Sequence, residues 1–449
     1  MGEKKRTIWN FYEGIAGDKV VWIIMLMLIM VSILCIFSST SRLLGPGQSR
    51  LDMVWDHLKI VLLGLGLILA CYAIPSIAFF RKLSSLGFIV SFLMLAFLIS
   101  GLNLGFIRSA EINGARRIIQ VGSQQLHVNE VVKVAMVLYL AWAIDAFKKK
   151  ELRLFADKPM RQKIFYIYAP FLLITMMLLP GSNSAALFTG GIMFLTILLG
   201  GDSARDMFIL VVAGAALLAL SVGIWYVSGG KWLGRIGTGV SRVLSKEDNE
   251  AKVLNSRVGS VDYYKALDEI RQPYSAKIAV HQGGLLGKGP GGSTQRYVVP
   301  DISEDYMFSF IIEEYGILGG LVIIILYLSL LARSAIIVRN CGNDLYAKLS
   351  VAGLTLLISG QAFLHICVNV DIGPMTGQTL PLISHGASAF LCFCIAFGII
   401  LSFSKIAYKR IAREQKNADP LVDRHTDIQN DLNDLDSFES GNDQEEYGI

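Results

Sequence analysis

The chain has 449 residues, of which 53% are hydrophobic and only 17% charged, with a formal net charge of +5. Its mean hydropathy is +0.52, which excludes a soluble globular protein of this size and points to an integral membrane protein. No nucleic-acid partner is expected.

Apolar runs long enough to cross about 30 Å of hydrocarbon recur at residues 20–38, 58–76, 85–106, 130–147, 164–180, 184–200, 206–228, 306–333, 347–369 and 387–404. They predict an all-α polytopic membrane protein with about ten transmembrane helices. A large extracytoplasmic loop at 229–305 separates the seventh from the eighth. The first run is too long for a signal-peptide core and reads as an uncleaved anchor. Lys4, Lys5 and Arg6, Arg81 and Lys82, the Lys148–Lys163 basic run, Arg333, Arg339 and Lys348, and Lys405, Lys409, Arg410 and Arg413 all fall on one side. That bias puts both termini, 1–19 and 405–449, in the cytoplasm. The outward 107–128 segment breaks the rule with Arg108, Arg116 and Arg117.

Residues 417–449 hold seven Asp and three Glu against one Arg, a net of −9, so the remainder carries +14. The tail lacks apolar periodicity and is expected to be disordered and to dock a cytoplasmic partner. The six cysteines lie almost entirely in predicted spans and suggest neither disulfides nor a metal site.

At the end of the long loop, Asp301, Ser303, Glu304 and Asp305 precede an apolar helix. Such a cluster serves equally as an N-cap or, with Ser303 capping, as a source of one carboxylate aimed at a cavity. Glu313 and Glu314 lie two turns deeper, where buried acids generally pair with a base or backbone donor. Glu130 and Lys133, three apart, form an ion pair on one helix face. Just before them, the NGARR segment at 113–117 offers two guanidiniums for a diphosphate, with bulk lipid phosphate as the competing ligand.

GGLLGKGPGGSTQR at 283–296 lacks P-loop spacing, and Lys288, Thr294, Gln295 and Arg296 suit it to closing over a polar head group. VDYYKALDEIR and YSAKIAVHQ, split by Pro273, read as two short amphipathic helices on the outer leaflet. NVDIGPMTGQTLPLISHGAS at 369–388 breaks an apolar region with Pro and Gly. Non-helical backbone at that depth must line protein or a watery cavity, which groups it with Asp305. His365, His385 and Asp371 match no metal-ligand spacing.

In order and placement, NGARR with Glu130 and Lys133, the Gly-rich loop, VPDISEDYMFSFIIEEYGILGG and GQTLPLISHGAS resemble the FtsW/RodA polymerases of bacterial cell-wall synthesis, the SEDS family, over roughly residues 20–410. The resemblance implies a ten-helix inner-membrane fold and a peptidoglycan glycosyltransferase that polymerises lipid II. It implies that Asp305 is the required acid and that Arg117, Glu130, Lys133, Glu313 and Glu314 stand in the same cavity; Asp305 is expected to act as general base, with Arg116, Lys288, Gln295, Arg296 and Ser384 completing the substrate and diphosphate site. It also implies a class B penicillin-binding transpeptidase and other divisome proteins as partners. The run at 289–293 looks more like FtsW than RodA.

No cofactor is evident; a divalent cation can share the diphosphate's charge, though no carboxylate cluster would hold one tightly without substrate. His127, Val128 and Asn129 stand where the family has Gln-Pro-Ser, and Ile118 where it has Trp. Pro180, Gly181, Ser182 and Asn183 replace its Pro-Asp-Leu-Gly, so that Asp is not essential here. Asp371, His385, Ala387 and Ala389 depart from its last motif. The competing readings are a flippase for a lipid-linked precursor, which would need polar groups near the midplane, and a catalytically silent scaffold.

Overall fold

The computed structural model describes residues 16–39, 50–112, 115–122, 124–228, 246–258, 260–299, 302–373 and 376–417. The basic residues before 16, Asn113 and Gly114 of NGARR, loop residues 229–245, Asp301, Pro374 and the acidic tail from 418 lie outside them.

The chain is mostly helical. The helices are α1 (Lys19–Ser39), α2 (Arg50–Ala73), α3 (Ile77–Ser84), α4 (Gly87–Ser100), α5 (Val128–Lys148), α6 (Pro159–Lys163), α7 (Ala169–Leu178), α8 (Asn183–Leu199), α9 (Ala204–Val227), α10 (Lys246–Asn255), α11 (Val261–Gly283), α12 (Met307–Asn340), α13 (Leu345–Asn369) and α14 (Ala387–Asn417). A π-helical turn, Ile164–Tyr168, joins α6 to α7. Among the described residues seven helical stretches are long and apolar enough to cross a membrane: α1, α2, α3 with α4, α9, α12, α13 and α14. The other three expected spans are also helical, as α5, α6 to α7, and α8.

Two expectations are corrected. The fold is not all-α, because three strands form an antiparallel sheet: β1 (Ile107–Ile112), β2 (Ala115–Val121) and β3 (Gln124–His127), in the order β1-β2-β3. Ile118, Ile119 and Val121 in β2 favour a pleated, half-buried surface, and Ile118 is fully buried. Nor does Pro273 divide two helices, since it sits inside continuous α11. A proline there removes one helical hydrogen bond. The far half of α11 is nevertheless held against α12: Ala276 and Ala279 are buried, and Gly283 lies so close to the Ile312 carbonyl that a Cβ would overlap it.

Polar contacts mark two ends of the bundle. At one, Asp18 pairs with Arg333 at 2.7 Å, Asp145 with Arg81 at 2.7 Å, and Lys163 with Asp202 at 2.7 Å. At the other lie the sheet, the starts of α5, α12 and α14, and the ends of α1, α7 and α13. Here the Ser388 hydroxyl, on α14, donates to the Gln125 carbonyl at 3.0 Å, and Ser184 to Thr376 at 2.7 Å.

α12 is two helical stretches joined at Gly316, whose φ of 72° and ψ of −178° break the helical hydrogen bonds. The Gly-rich loop takes up the exposed backbone. Lys288 N–H donates to the Glu313 carbonyl and Gly289 N–H to that of Glu314, both at 2.9 Å, while Ile317 N–H donates to Gly284 O at 2.9 Å. Broken helix at membrane depth is thus satisfied by protein. A Cβ at Gly316 would overlap the Leu285 carbonyl. Gly316→Ala is expected to lose about 1–3 kcal/mol and to lower the unfolding temperature in detergent. Gly191→Ala, with open space around it, should not lower it.

Candidate active site

The first turn of an α-helix leaves amide groups without helical partners. At α12 the N-cap, Tyr306, makes no side-chain cap hydrogen bond, and acceptors come instead from α13. Phe308 N–H donates to His365 Nε2 at 3.3 Å, and Ser309 N–H to Asn369 Oδ1 at 2.9 Å. Asn369 Nδ2 donates in turn to the Asp305 carbonyl at 3.1 Å. The half-buried Asp305 sits at this helix start, and a Cβ on exposed Gly377 would stand 3.6 Å from its carboxylate. Ser303, the expected cap, is buried, and its carbonyl accepts from His385 N–H at 2.8 Å.

The loop beside Asp305 is fastened from several sides. Ser384 Oγ donates to the Glu304 carbonyl at 2.8 Å and accepts from Leu380 N–H at 2.9 Å, so its hydroxyl ties the loop together. Lys133 is 1% exposed, and its ammonium donates to Glu130 Oε1 at 2.7 Å, Gln361 Oε1 at 2.7 Å and Gln378 Oε1 at 2.9 Å. Three donors meet three acceptors, which is how a buried ammonium is tolerated. Glu130 and Lys133 are therefore joined to the 376–379 loop that passes the Asp305 carboxylate. Burial holds the His385 imidazole below its usual value, and its ring lies 6.0 Å from that of His57.

A second polar knot gathers Lys288, Gln295, Arg296, Glu313 and Glu314. Fully buried Glu313 accepts from Lys288 Nζ at 2.6 Å, Ser293 Oγ at 2.5 Å, Thr294 N–H at 2.9 Å and Gln295 N–H at 3.3 Å. Glu314 accepts from Ser38 Oγ at 2.7 Å and Gly291 N–H at 3.1 Å, with Arg296 Nη1 at 3.8 Å. Arg296 also donates to the Ser38 carbonyl at 3.0 Å. Glu313 thus pairs with the loop and Glu314 with both the loop and Ser38 at the end of α1, and the loop's polar side chains turn inward onto them.

Arg116 and Arg117 are successive residues of β2, whose side chains alternate between faces. Arg117 Nε donates to the Gly181 carbonyl at 2.8 Å. The exposed Arg116 lays its guanidinium where a Gly101 side chain would be, at the C-terminal end of α4, an end that favours cations. Arg116 also lines a cavity of about 330 Å³ with Leu95, Leu98, Asn129, Met177 and Gly181. Among the described residues no group of three or more His, Cys, Asp and Glu is arranged to hold a metal ion.

Gln361, His365, Asn369 and Gln378 were not singled out from the sequence for this site. The signal was present: Gln361, His365 and Asn369 recur every four residues, a polar stripe on one face of an otherwise apolar helix.

A family profile described as "Cell cycle protein", covering FtsW, RodA and SpoVE, matches residues 18–409. The chain belongs to the FtsW/RodA/SpoVE family. Among its relatives, the Coxiella burnetii protein named probable peptidoglycan glycosyltransferase FtsW is 28% identical over 416 residues, covering 91% of this chain and 99% of the relative. The Bacillus subtilis protein of the same name is 27% identical, over 69% of this chain and 71% of the relative.

A solved chain from work on the structural coordination of polymerization and crosslinking by a peptidoglycan synthase complex has a TM-score of 0.61 at 22% identity, covering 88% of this chain and 99% of that one. Thermus thermophilus rod-shape-determining RodA has a TM-score of 0.56 at 20% identity. These likenesses show that the fold is that of the family, a multi-pass membrane protein.

Removing one partner of a buried ion pair leaves the other charge uncompensated, at about 3–5 kcal/mol. Lys133→Met should therefore lower the unfolding temperature in detergent sharply. The double variant Glu130→Gln/Lys133→Met should recover much of that loss.

Proposed function

We propose that the chain is a peptidoglycan glycosyltransferase that polymerises lipid II into glycan strands at the outer face of the bacterial inner membrane, for septal synthesis in cell division. The observation that carries this reading is the half-buried Asp305 at the start of α12, beside exposed Gly377 and next to the loop held by Lys133. Family membership and the relatives' names support the substrate class.

In the reaction, the Asp305 carboxylate takes the proton of a sugar 4-hydroxyl on incoming lipid II. The oxygen forms a bond to the anomeric carbon of the growing glycan as the bond to undecaprenyl diphosphate breaks, inverting that centre. Charge develops on the departing diphosphate, where preorganised cations act most strongly; the exposed Arg116 takes that role, while Arg117, on the other face of β2, holds the Gly181 carbonyl. Lys133, Lys288 and Arg296, whose donors are engaged by protein acceptors, hold the walls in shape.

In the membrane, about ten helices cross with both termini in the cytoplasm, the ion-paired end facing inward as the positive-inside bias directs. α10 and α11 belong to the external loop. A single-pass penicillin-binding transpeptidase works with the chain to crosslink its product.

Purified wild-type and Asp305→Ala proteins, incubated with labelled lipid II with and without the transpeptidase, test the proposal. General-base help is worth about 10²–10⁴-fold, so the variant should fall to background while folding and inserting normally. Glycan made by it at a near wild-type rate would refute the assignment.

A further inference from the structure

We infer that His365 and Asn369 are positioning residues for Asp305: they cap α12 from across the helix interface and so fix where the carboxylate at its start points. This inference rests on the assignment of Asp305 as the base.

The hydrogen-bond roles follow from the partners. A backbone carbonyl can only accept, so the 2.7 Å contact between His365 Nδ1 and the Gln378 carbonyl requires a proton on Nδ1. A backbone N–H can only donate, so the 3.3 Å contact with Phe308 requires a lone pair on Nε2. The imidazole is thus held in its Nδ1–H tautomer, 1% exposed, as a strut between the 376–379 loop and the first turn of α12. Asn369 uses both ends of its amide: Oδ1 accepts from Ser309 N–H at 2.9 Å, and Nδ2 donates to the Asp305 carbonyl at 3.1 Å and to the His365 carbonyl at 2.8 Å.

The strut continues beyond the helix pair. Gln378, whose carbonyl orients His365, offers its side-chain oxygen to Lys133 at 2.9 Å, and Lys133 also grips Gln361, one turn before His365 on α13. Helix start, flanking loop and Lys133 therefore share one network around Asp305. A serine or aspartate at the N-cap would satisfy the amides locally but would spend that side chain on the cap. Here two acceptors come from α13 instead.

A displacement of about 1 Å at a reacting group can cost about 10²-fold in rate. His365→Leu and Asn369→Leu are therefore expected to lower kcat with labelled lipid II by about that factor, per folded protein, with little change in KM. The decisive comparison is between two polar replacements at 365. Gln extends far enough to offer Phe308 an acceptor, whereas Asn reaches only the Nδ1 position and keeps the Gln378 contact alone. His365→Gln should retain more kcat than His365→Asn, and amide exchange at residues 307–310 should rise in His365→Asn and His365→Leu but not in His365→Gln.

Near wild-type kcat in His365→Leu and Asn369→Leu, or His365→Asn matching His365→Gln in both readouts, would overturn the inference. Amide exchange needs no activity, so it tests the cap on its own. Failure of Asp305 as base would appear separately, as an active Asp305→Ala protein.

Discussion

Polar groups inside a bilayer must find their partners within the protein, and in this chain the partner is a stripe on α13. Gln361, His365 and Asn369 present acceptors and donors at intervals of four residues. They bind the ammonium of Lys133 and the first amides of α12. Remove that stripe and three things lose their footing together: a buried cation, a helix start, and the loop between them. The arrangement of Asp305 follows from it, because its own carbonyl and the amides that follow it are tied to α13.

A second constraint shapes the neighbouring Gly-rich loop. Glu313 and Glu314 are fully buried in the first half of α12, and carboxylates so placed need many donors. The loop supplies them from its backbone and from Lys288, Ser293, Thr294 and Arg296. Close approach is possible because Gly283, Gly287 and Gly316 lack side chains where backbone meets backbone. The loop is therefore a wall pinned to the kinked helix, and the long α11 comes with it. Rigidity of this kind suits a site whose chemistry depends on aim more than on charge held in reserve.

Much of this was legible before any coordinates. Apolar runs located the helices, since hydrocarbon thickness imposes a minimum length on anything that crosses it. Glu130 and Lys133 announced their ion pair by a spacing of three, and the motif order named the family. The sheet at 107–127 was not foreseen, although Ile118 and Ile119 carried its local signal, because strand pairing joins residues that periodicity along one segment does not link. Pro273 looked like a break because its effect on a helix is local, while the packing of α11 on α12 that overrides it is not.

By itself the sequence determined membrane residence, the positions of the apolar helices and the placement of Asp305 at the start of α12. These depend on composition and short-range spacing. Only the tertiary structure decided the partners: that His365 and Asn369 cap the helix Asp305 precedes, that Gln378 joins them to Lys133, and that Glu313 and Glu314 pair with the Gly-rich loop and Ser38. Those pairings connect residues distant along the chain, such as Lys133 and Gln378 or Ser38 and Glu314. Each partner was chosen by which buried donor and acceptor the packed helices bring within hydrogen-bond reach.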